Sequence, residues 1–489
     1  MTEAHYTDDA VTLHHGDCLD VLRGMPDSSV DAIVTDPPAG ISFMSKSWDH
    51  DLGGRTEWVA WMTEVMTEAL RVIRPGGHAL VWALPRTSHW TSWAIESAGF
   101  DVRDCIVHIF GTGFPKSLDV GKAIAKAAGV ERKVIGPDPQ AARRSINRFV
   151  GTMNGGRVSE DNRAEVPLTA PATDDAARWA GFGTALKPAS EHWWLARKPL
   201  GAGTVAGNVL RYGTGALNID ACRVETSDDL NGGAYSGDLR QRAERTATDT
   251  ESGAVAMSRL NRGAGDYIAP NGRWPANVVL SHTEWCVEVG TRQARTGTAV
   301  NRNRTPDNDR ATYAAYSMGN KKSGGDVSYG TDGTETVAAW DCPEGCPVRE
   351  LDAQSGVTSS PTSTGRGAGG QHGITSPRGA QGQVWAPGDT GGASRFFPTF
   401  RYQAKAPSSE RPGYVDDDGV SQAHSTVKPL DLMRWLVRLV TPPGGTVLDP
   451  FAGSGTTGEA CSLEGFECVL IEREARYLAL IGVRLGWCS

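Results

Sequence analysis

The sequence predicts an α/β fold, in which short buried strands alternate with helices, together with a large, loop-rich inserted region. The stretch VDAIVTDPP (30–38) is an apolar run that ends at two prolines, which is typical of a buried strand followed by a loop. GGHALVWALP (76–85) has the same character, and the helical stretch TSHWTSWAIESAG (87–99) follows it. Alternation of this kind favours a sheet that is covered by helices.

The same alternation continues later in the chain. EHWWLARKPL (191–200) is strand-like, and order returns near residue 395 after a long interval. The predicted elements of this last part are RFFPTFRYQAKA (395–406), a helix LDLMRWLVRLV (430–440), a strand TVLDPF (446–451), a helix after GSGTTG (453–458) and a strand ECVLIERE (467–474).

The composition predicts a large insertion between these ordered ends. A chain of 489 residues has room for more than one compact unit, or for one unit that carries a long insertion. It contains 59 glycines and 27 prolines, so many residues are expected in turns and loops. Residues 201–394 are dominated by Gly, Ser, Thr, Asn and Arg without periodicity, which predicts long loops that become ordered when a partner binds.

Charge and cysteine usage limit the class of protein. The net charge of −8 argues against a uniformly basic nucleic-acid-binding protein, although it permits a local basic surface. No apolar run approaches the roughly 18 residues that cross a bilayer, and the first residues lack the features of a signal peptide. We therefore expect a cytoplasmic protein without a membrane partner. The nine scattered cysteines suit reduced thiols or a metal site better than a disulfide framework.

The strongest chemical signal is the glycine-rich turn in TVLDPFAGSGTTGEA (446–460). A strand that runs into Gly453, Gly455 and Gly458 lets the backbone approach a nucleotide-like ligand closely, because glycine has no Cβ to collide with it. Glu472 follows 19 residues after Gly453, where its carboxylate can accept hydrogen bonds from ribose hydroxyls.

Taken alone, this turn also describes an NAD site or a merely structural turn. Its position argues against NAD, because only 31 residues follow Gly458 and a dinucleotide-binding domain needs further βαβ units there. The rest of the sheet must therefore come from earlier in the chain.

A second signal is the loop that follows the first predicted strand. The exocyclic amine of a nucleobase is a poor nucleophile, because its lone pair is delocalised into the ring. Two hydrogen-bond acceptors, the carboxylate of Asp36 and the carbonyl of Pro37, would return that lone pair to nitrogen, while Pro37 and Pro38 hold the loop rigid. A plain turn at the end of a strand is the alternative interpretation.

The two signals together resemble the β-class amino DNA methyltransferases, in which the catalytic motif precedes the cofactor motif. The resemblance is carried by TDPPAGISFMSKSWD (35–49), by HSTVKP (424–429) and by the glycine-rich turn with LIERE (470–474). GDCLDVL (16–22) and EHWWLARKP (191–199) are also similar to elements of that family. The resemblance to this family covers roughly residues 1–117, 185–200 and 395–489.

The resemblance implies a Rossmann-like, doubly wound mixed sheet of the class I methyltransferase type. It divides the chain into the ranges 1–117 (catalytic half), 118–184 (insertion), 185–200 (core strand), 201–394 (target-recognition insertion) and 395–489 (cofactor-binding half). It implies S-adenosyl-L-methionine as cofactor and a target base that is flipped out of double-stranded DNA. The cofactor-binding residues that it implies are Asp17, Lys428, Asp449, Phe451, Gly453, Gly455, Thr456 and Glu472.

One position departs from the family pattern. The family has an aromatic residue after the two prolines, which stacks on the flipped base, whereas this sequence has Ala39. Because such stacking contributes roughly 1 to 3 kcal/mol, we expect another aromatic to replace it, with Phe43 and Trp48 the nearest candidates. A different base, an altered reaction or a non-catalytic DNA-binding relative are the alternatives. Within the family, Asp36 favours adenine N6 over cytosine N4.

Four residues have the spacing of a metal site. His282 and Cys286 are separated by three residues, as are Cys342 and Cys346, and four such ligands suit a structural zinc ion. The alternative is four unrelated residues. Five other cysteines are predicted core residues, namely Cys18, Cys105, Cys222, Cys461 and Cys468.

Three basic residues are candidates for contacts with DNA. Lys116 in GTGFPKS (111–117) can face phosphates, and Arg223 and Arg273 lie beside tight turns from which they can read bases. Packed loops are the alternative interpretation of all three. An RNA or protein amine substrate stays open, and the chain is expected to act as a monomer or a homodimer.

Overall fold

A computed structural model describes thirteen ranges of the chain: 4–42, 47–111, 117–137, 167–224, 273–283, 286–295, 334–359, 363–364, 384–385, 390–400, 412–415, 421–424 and 426–487. The α-helices in these ranges are α1 Cys18–Gly24, α2 Arg55–Val72, α3 Ser88–Ser97, α4 Val120–Ala127, α5 Asp174–Arg178, α6 Val205–Tyr212, α7 Pro347–Ser355, α8 Leu430–Val440, α9 Thr456–Glu464 and α10 Ala475–Leu485.

The strands divide into those of one large sheet and those of short hairpins. In chain order they are β1 Tyr6–Thr7, β2 Val11–His15, β3 Val30–Thr35, β4 Ile73–Ala83, β5 Asp101–Ile109, β6 Val134–Pro137, β7 Pro167–Thr169, β8 Ser190–Arg197, β9 Val278–Ser281, β10 Val287–Arg295, β11 Thr334–Asp341, β12 Thr358–Ser359, β13 Ser363–Thr364, β14 Val384–Trp385, β15 Thr390–Gly391, β16 Thr399–Phe400, β17 Gly413–Val415, β18 Ser421–Ala423, β19 Thr446–Asp449 and β20 Glu467–Glu472.

The large sheet has ten strands in the order β1-β2-β20-β19-β3-β4-β8-β5-β9-β16. Within it, β8 runs antiparallel to both of its neighbours, β4 and β5, and β1 runs antiparallel to β2. The other neighbouring strands pair in parallel. The prediction of a mixed α/β sheet is therefore confirmed.

The end of the chain supplies strands to the middle of this sheet. Strands β20 and β19 lie between β2 and β3, and Val447 and Leu448 pair with Ala32 and Ile33. These strands are parallel, so the loops that follow β3 and β19 leave the same edge of the sheet. The Asp36 loop and the glycine-rich turn are thereby brought together, although more than 400 residues separate them in the sequence.

Helices cover the sheet on both faces, and each face has its own apolar core. On one face, α2 buries Trp58, Met62, Val65 and Met66 with α1 and α3 against the strands. On the other face, α8 packs Leu432, Leu436 and Val440 with residues of α9 and α10. A helix whose apolar residues recur every three or four positions buries one side in this way.

Two findings qualify the picture taken from sequence. Strand β9 comes from inside the range 201–394, where loops were expected, because VVLS (278–281) is an apolar run that pairs with β5. Of the cysteines predicted to lie in the core, Cys105 is only half-buried, whereas the other four are buried. The boundaries of the five ranges themselves remain predictions. Among the described helices, none combines the length and the apolar character needed to cross a bilayer.

Candidate active site

A cavity of about 1070 Å³ opens at the edge where β3 and β19 end. It is lined by the whole sequence-predicted catalytic group and by most of the predicted cofactor group. The lining residues of these groups are Asp17, Asp36, Pro37, Pro38, Ala39, Lys428, Asp449, Phe451, Gly453, Thr456 and Glu472. The cavity is large enough to hold both a nucleoside-sized cofactor and a second planar group.

The Asp36 loop is fixed by its own downstream residues. The N–H of Gly40 donates to Asp49 Oδ1 at 2.9 Å, and the N–H of Ser42 donates to the Asp49 carbonyl at 2.7 Å. Gly40 has φ +66°, and a Cβ there would lie 2.7 Å from the ring of Trp58. The conformation of the loop is thus fixed by hydrogen bonds to the buried Asp49 and by close packing on Trp58 of α2.

Asp36 lies in a line of charges at the base of the cavity. Lys428 Nζ is 2.7 Å from Asp36 Oδ2 and 3.8 Å from the centre of the Trp82 ring. Burial raises the pKa of Asp36 to about 6, against the opposing effect of the Lys428 ammonium. The ion pair thus keeps a desolvated carboxylate charged at neutral pH, with an acceptor oxygen facing the cavity region.

Glu191 is a second carboxylate of this cavity, and the sequence did not single it out. Burial raises its pKa, but the nearby Lys428 ammonium and His108 imidazole outweigh burial and lower the pKa to about 2. His108 Nδ1 lies 3.9 Å from Glu191 Oε2, and His108 Nε2 is hydrogen-bonded to Ser281 Oγ at 2.7 Å. Lys428 therefore stands between two carboxylates.

Asp449 serves the fold as much as the cavity. Its Oδ1 accepts hydrogen bonds from Thr35 Oγ1 at 2.6 Å and from the N–H of Phe451 at 3.1 Å. Its Oδ2 accepts from Thr457 Oγ1 at 2.5 Å. These bonds tie the end of β19 to the end of β3 and to α9, and they hold the residue before Asp36 in place.

The glycine-rich turn and Glu472 are joined directly. Gly453 has φ +54°, and its N–H donates to Glu472 Oε2 at 2.8 Å. The N–H of Glu474 donates to the other carboxylate oxygen at 2.7 Å. Burial raises the pKa of Glu472 to about 7 despite these two bonds. A buried carboxylate at the floor of a glycine turn is suited to accept hydrogen bonds from hydroxyl groups.

Aromatic side chains form two walls of the cavity. Phe451 packs edge-on against Trp61, with ring centres 5.8 Å apart. Trp48 stacks on His424 at 5.8 Å, and His424 meets Tyr477 at 4.6 Å. Burial lowers the pKa of His424 to about 4, so its imidazole is neutral at pH 7. Trp48 thus reaches the cavity that Ala39 also lines, whereas Phe43 lies outside the described residues.

Other predicted cofactor residues have different positions. Asp17 lines the cavity and caps α1, since its Oδ1 accepts from the N–H of Leu19 at 3.0 Å. Thr456 is buried in the cavity wall beside Ser454. Gly455 does not line the cavity. Its φ is +76°, and a Cβ there would lie 3.1 Å from Ile481, so its lack of a side chain serves packing against α10.

The two predicted DNA-contacting arginines in the described ranges lie outside the cavity lining. Arg223 is paired with Asp220 at 2.8 Å, and Arg273 Nη1 donates to the carbonyl of Arg395 at 2.8 Å. Arg223 also lies over Trp274, an exposed ring 5.4 Å away. Both arginines are thus engaged within the chain, as the packed-loop interpretation expects. Lys116 lies outside the described residues.

The four predicted metal ligands come together in space, away from this cavity. The ligand atoms of His282, Cys286, Cys342 and Cys346 all lie within 4.8 Å of one another. The four residues that the sequence predicts as metal ligands are therefore neighbours in the fold.

Sequence reasoning missed the residues that act from strand interiors. Glu191 and His108 face the cavity from β8 and β5, and Trp82 faces it from β4. His424 stood in the HSTVKP motif without a role. Period-two alternation on β8, which places Glu191 and Trp193 on one side, is a signal that could have indicated Glu191.

A protein-family model matches the C-terminal part of the chain, which contributes the second half of the site. Residues 319–482 match the family model described as DNA methylase, of the N6/N4 type. The methylase match contains Lys428, the glycine-rich turn and Glu472, and the Asp36 loop lies before it in the chain.

Curated relatives share short stretches with the chain. The type II methyltransferase M.HinfI of Haemophilus influenzae is 38% identical over 71 residues, which are 14% of this chain and 20% of that protein. M.SmaI of Serratia marcescens is 44% identical over 63 residues, 13% of this chain and 22% of that protein. The chain therefore spans about a fifth of the length of the curated relatives that it matches.

Two solved structures align along nearly the whole chain at low similarity. The cytosine-N4-specific PvuII DNA methyltransferase is 12% identical with a TM-score of 0.37, and the alignment covers 99% of this chain and 89% of that one. The M1.HpyAVI complex with SAM is also 12% identical, with a TM-score of 0.32 and coverage of 97% and 98%.

Proposed function

We propose that the protein is a site-specific DNA methyltransferase, which transfers a methyl group from S-adenosylmethionine to the exocyclic amine of a flipped base. The observation that carries this proposal is that Asp36 and the glycine-rich turn line one cavity, although they lie at opposite ends of the chain. The match of residues 319–482 to the DNA methylase family model supports it independently.

The cavity residues fit S-adenosylmethionine on chemical grounds. Gly453 leaves open the space that a Cβ would fill, and Glu472 offers carboxylate oxygens to ribose hydroxyls. Phe451 and Trp61 supply an apolar wall for a purine ring. When bound, the cofactor supplies an electrophilic methyl group on a sulfonium ion.

Asp36 and Pro37 then act on the target amine. The Asp36 carboxylate and the Pro37 carbonyl accept its two N–H bonds, which localises the lone pair on nitrogen. Lys428 holds the second carboxylate oxygen at 2.7 Å and so fixes the orientation of Asp36. As the new N–C bond forms and the S–C bond breaks, the amine loses one proton, for which Asp36, with a pKa of about 6, is the nearest acceptor.

Trp48 is proposed to take the place of the aromatic residue that Ala39 lacks. It lines the same cavity and already stacks on His424. A flipped base needs such a partner, because it has lost the stacking of the duplex. We propose adenine N6 as the preferred target over cytosine N4, and double-stranded DNA as the substrate, with Arg223, Arg273 and Lys116 retained as candidate DNA contacts.

Mass spectrometry of nucleosides from cells that express the protein tests the proposal. We expect N6-methyladenine, with N4-methylcytosine as the other outcome within the proposed class, and neither in cells that express Asp36→Ala. If the modified nucleoside persists with Asp36→Ala, the catalytic assignment is wrong.

A specific observation, Ala39, favours considering a second function as a non-catalytic DNA-binding relative. Purified protein that binds S-adenosylmethionine and duplex DNA, yet transfers no label between them, would favour this alternative. Labelled transfer to RNA or to a protein amine in competition with DNA would instead indicate a different polymer substrate.

A further inference from the structure

The cluster of His282, Cys286, Cys342 and Cys346 lies outside the proposed methyl-transfer site. His282 Nδ1 is 3.3 Å from Cys342 Sγ and 3.8 Å from Cys346 Sγ. His282, Cys286 and Cys346 are buried, with exposed fractions of 5%, 6% and 0%.

We infer that these four residues bind one structural zinc ion. A tetrahedral zinc has bonds of about 2.3 Å to sulfur and about 2.0 to 2.1 Å to nitrogen, which place its ligand atoms about 3.5 to 3.8 Å apart. The two His282 distances bracket that separation, and all four ligand atoms lie within 4.8 Å of one another. Thiolate and imidazole ligands together suit zinc better than magnesium or calcium.

The local packing indicates that the ion would stabilise this part of the fold. The ligands lie at the paired ends of strands β10 and β11, because Cys286 directly precedes β10 and Cys342 directly follows β11. The apolar cluster around them is small, with Leu280 and Val348 as its buried residues besides two of the ligand cysteines. A closed site of four ligands contributes stability where so few apolar side chains are available.

The four-residue cluster is also connected to residues that line the proposed active site. Ser281, the residue before His282, is hydrogen-bonded to His108, which contacts Glu191 in the cavity. On the other side, Gly345 lies between the two later cysteines, and a Cβ on Gly111 would come within 2.5 Å of its carbonyl oxygen. Gly111 in turn accepts a hydrogen bond from Lys187, a residue of the cavity lining.

The test is the metal content of the full chain, expressed without a polyhistidine tag and purified without chelator. Inductively coupled plasma mass spectrometry is expected to find one zinc per chain. The double variant Cys342→Ser, Cys346→Ser is expected to lose zinc by about tenfold or more. The matched control Cys105→Ser, a cysteine of β5 outside the cluster, is expected to keep it.

Reconstitution of the wild-type chain with cobalt(II) keeps the test decisive if the double variant fails to fold. A tetrahedral site with three thiolates is expected to give intense visible bands and sulfur-to-cobalt charge transfer. Wild-type protein without zinc, cobalt spectra typical of octahedral oxygen ligands, or a disulfide between cluster cysteines in the intact mass would overturn the inference. None of these readouts depends on methyl transfer, so the zinc site and the proposed function fail separately.

Discussion

At the scale of single residues, the proposed chemistry depends on the charges of Asp36, Lys428 and Glu191. One ammonium lies between two carboxylates, and the pKa of Asp36 is raised to about 6 whereas that of Glu191 is lowered to about 2. The two carboxylates therefore have different tasks. Glu191 stays charged at all relevant pH values and adds negative charge near Lys428, while the pKa of Asp36 is close enough to neutral pH for its carboxylate to exchange a proton.

The pH dependence of catalysis follows from the raised pKa of Asp36. As the pH falls through about 6, the carboxylate is protonated and loses its acceptor function, so kcat/KM is expected to fall about tenfold per pH unit below that value. Replacing Lys428 by methionine removes the ammonium that lowers the pKa and should move this acid limb to higher pH. Lys428→Arg, which keeps the charge, serves as control, and an acid limb that does not move in Lys428→Met contradicts the assignment.

Trp48 is expected to hold the flipped base in place of the missing aromatic. Trp48→Ala should raise the KM for DNA by about fivefold to 150-fold, which corresponds to the roughly 1 to 3 kcal/mol of base stacking. Trp93→Ala changes a tryptophan of α3 that is 59% exposed and outside the cavity lining, so it should leave KM unaltered. Steady-state kinetics on duplex DNA measures both, and equal effects of the two substitutions would argue against the role of Trp48.

At the scale of elements, the backbone conformation of the turn after β19 supports the cofactor binding that we propose for it. Gly453 holds a left-handed conformation while its N–H reaches Glu472, and both features depend on the few residues between β19 and α9. The sequence could predict this turn, because glycine spacing after an apolar strand is a local pattern. It could not predict that Gly455 packs on Ile481, or that Asp449 binds Thr35, because those contacts depend on the tertiary arrangement.

Substitution of Gly453 tests whether this turn contributes to cofactor binding in addition to folding stability. Gly453→Ala is expected to cost about 1 to 2 kcal/mol of folding stability through its positive φ and, in addition, to weaken S-adenosylmethionine binding about tenfold. Gly465→Ala has φ +77° with open space around it, so it carries the strain alone. Calorimetric titration with the cofactor and thermal unfolding compare the two variants. Equal cofactor affinities would show that the turn does not contact the ligand.

At the scale of the whole molecule, the two ends of the chain form one sheet. Strands β19 and β20 lie between β2 and β3, and Tyr6 stacks on Trp487 with ring centres 3.7 Å apart. The strands and the α/β class could be predicted from apolar runs. The contribution of β9 could not be predicted, because a short apolar run such as VVLS does not indicate which strand it pairs with. The proximity of Glu191 to Lys428 could not be predicted either, because it depends on the tertiary arrangement.

This interleaving predicts how truncation affects folding. A chain that ends at residue 425 lacks α8, α9, α10, β19 and β20, so β2 and β3 each lose the parallel neighbour that joins them into one sheet. We expect it to show no cooperative thermal unfolding by circular dichroism, whereas a chain that ends at Trp487 should unfold like the full protein. A cooperative transition in the shorter chain would mean that residues 4–425 form an independent core.

The central claim is that one cavity binds the cofactor through the end of the chain and activates the target amine through its beginning. The most direct test measures cofactor affinity and labelled methyl transfer to duplex DNA on the same preparations of wild type, Asp36→Ala and Glu472→Ala. We expect Asp36→Ala to bind S-adenosylmethionine like the wild type but to lose transfer by about a hundredfold or more, and Glu472→Ala to lose cofactor affinity. Transfer by Asp36→Ala at the wild-type rate would contradict the claim.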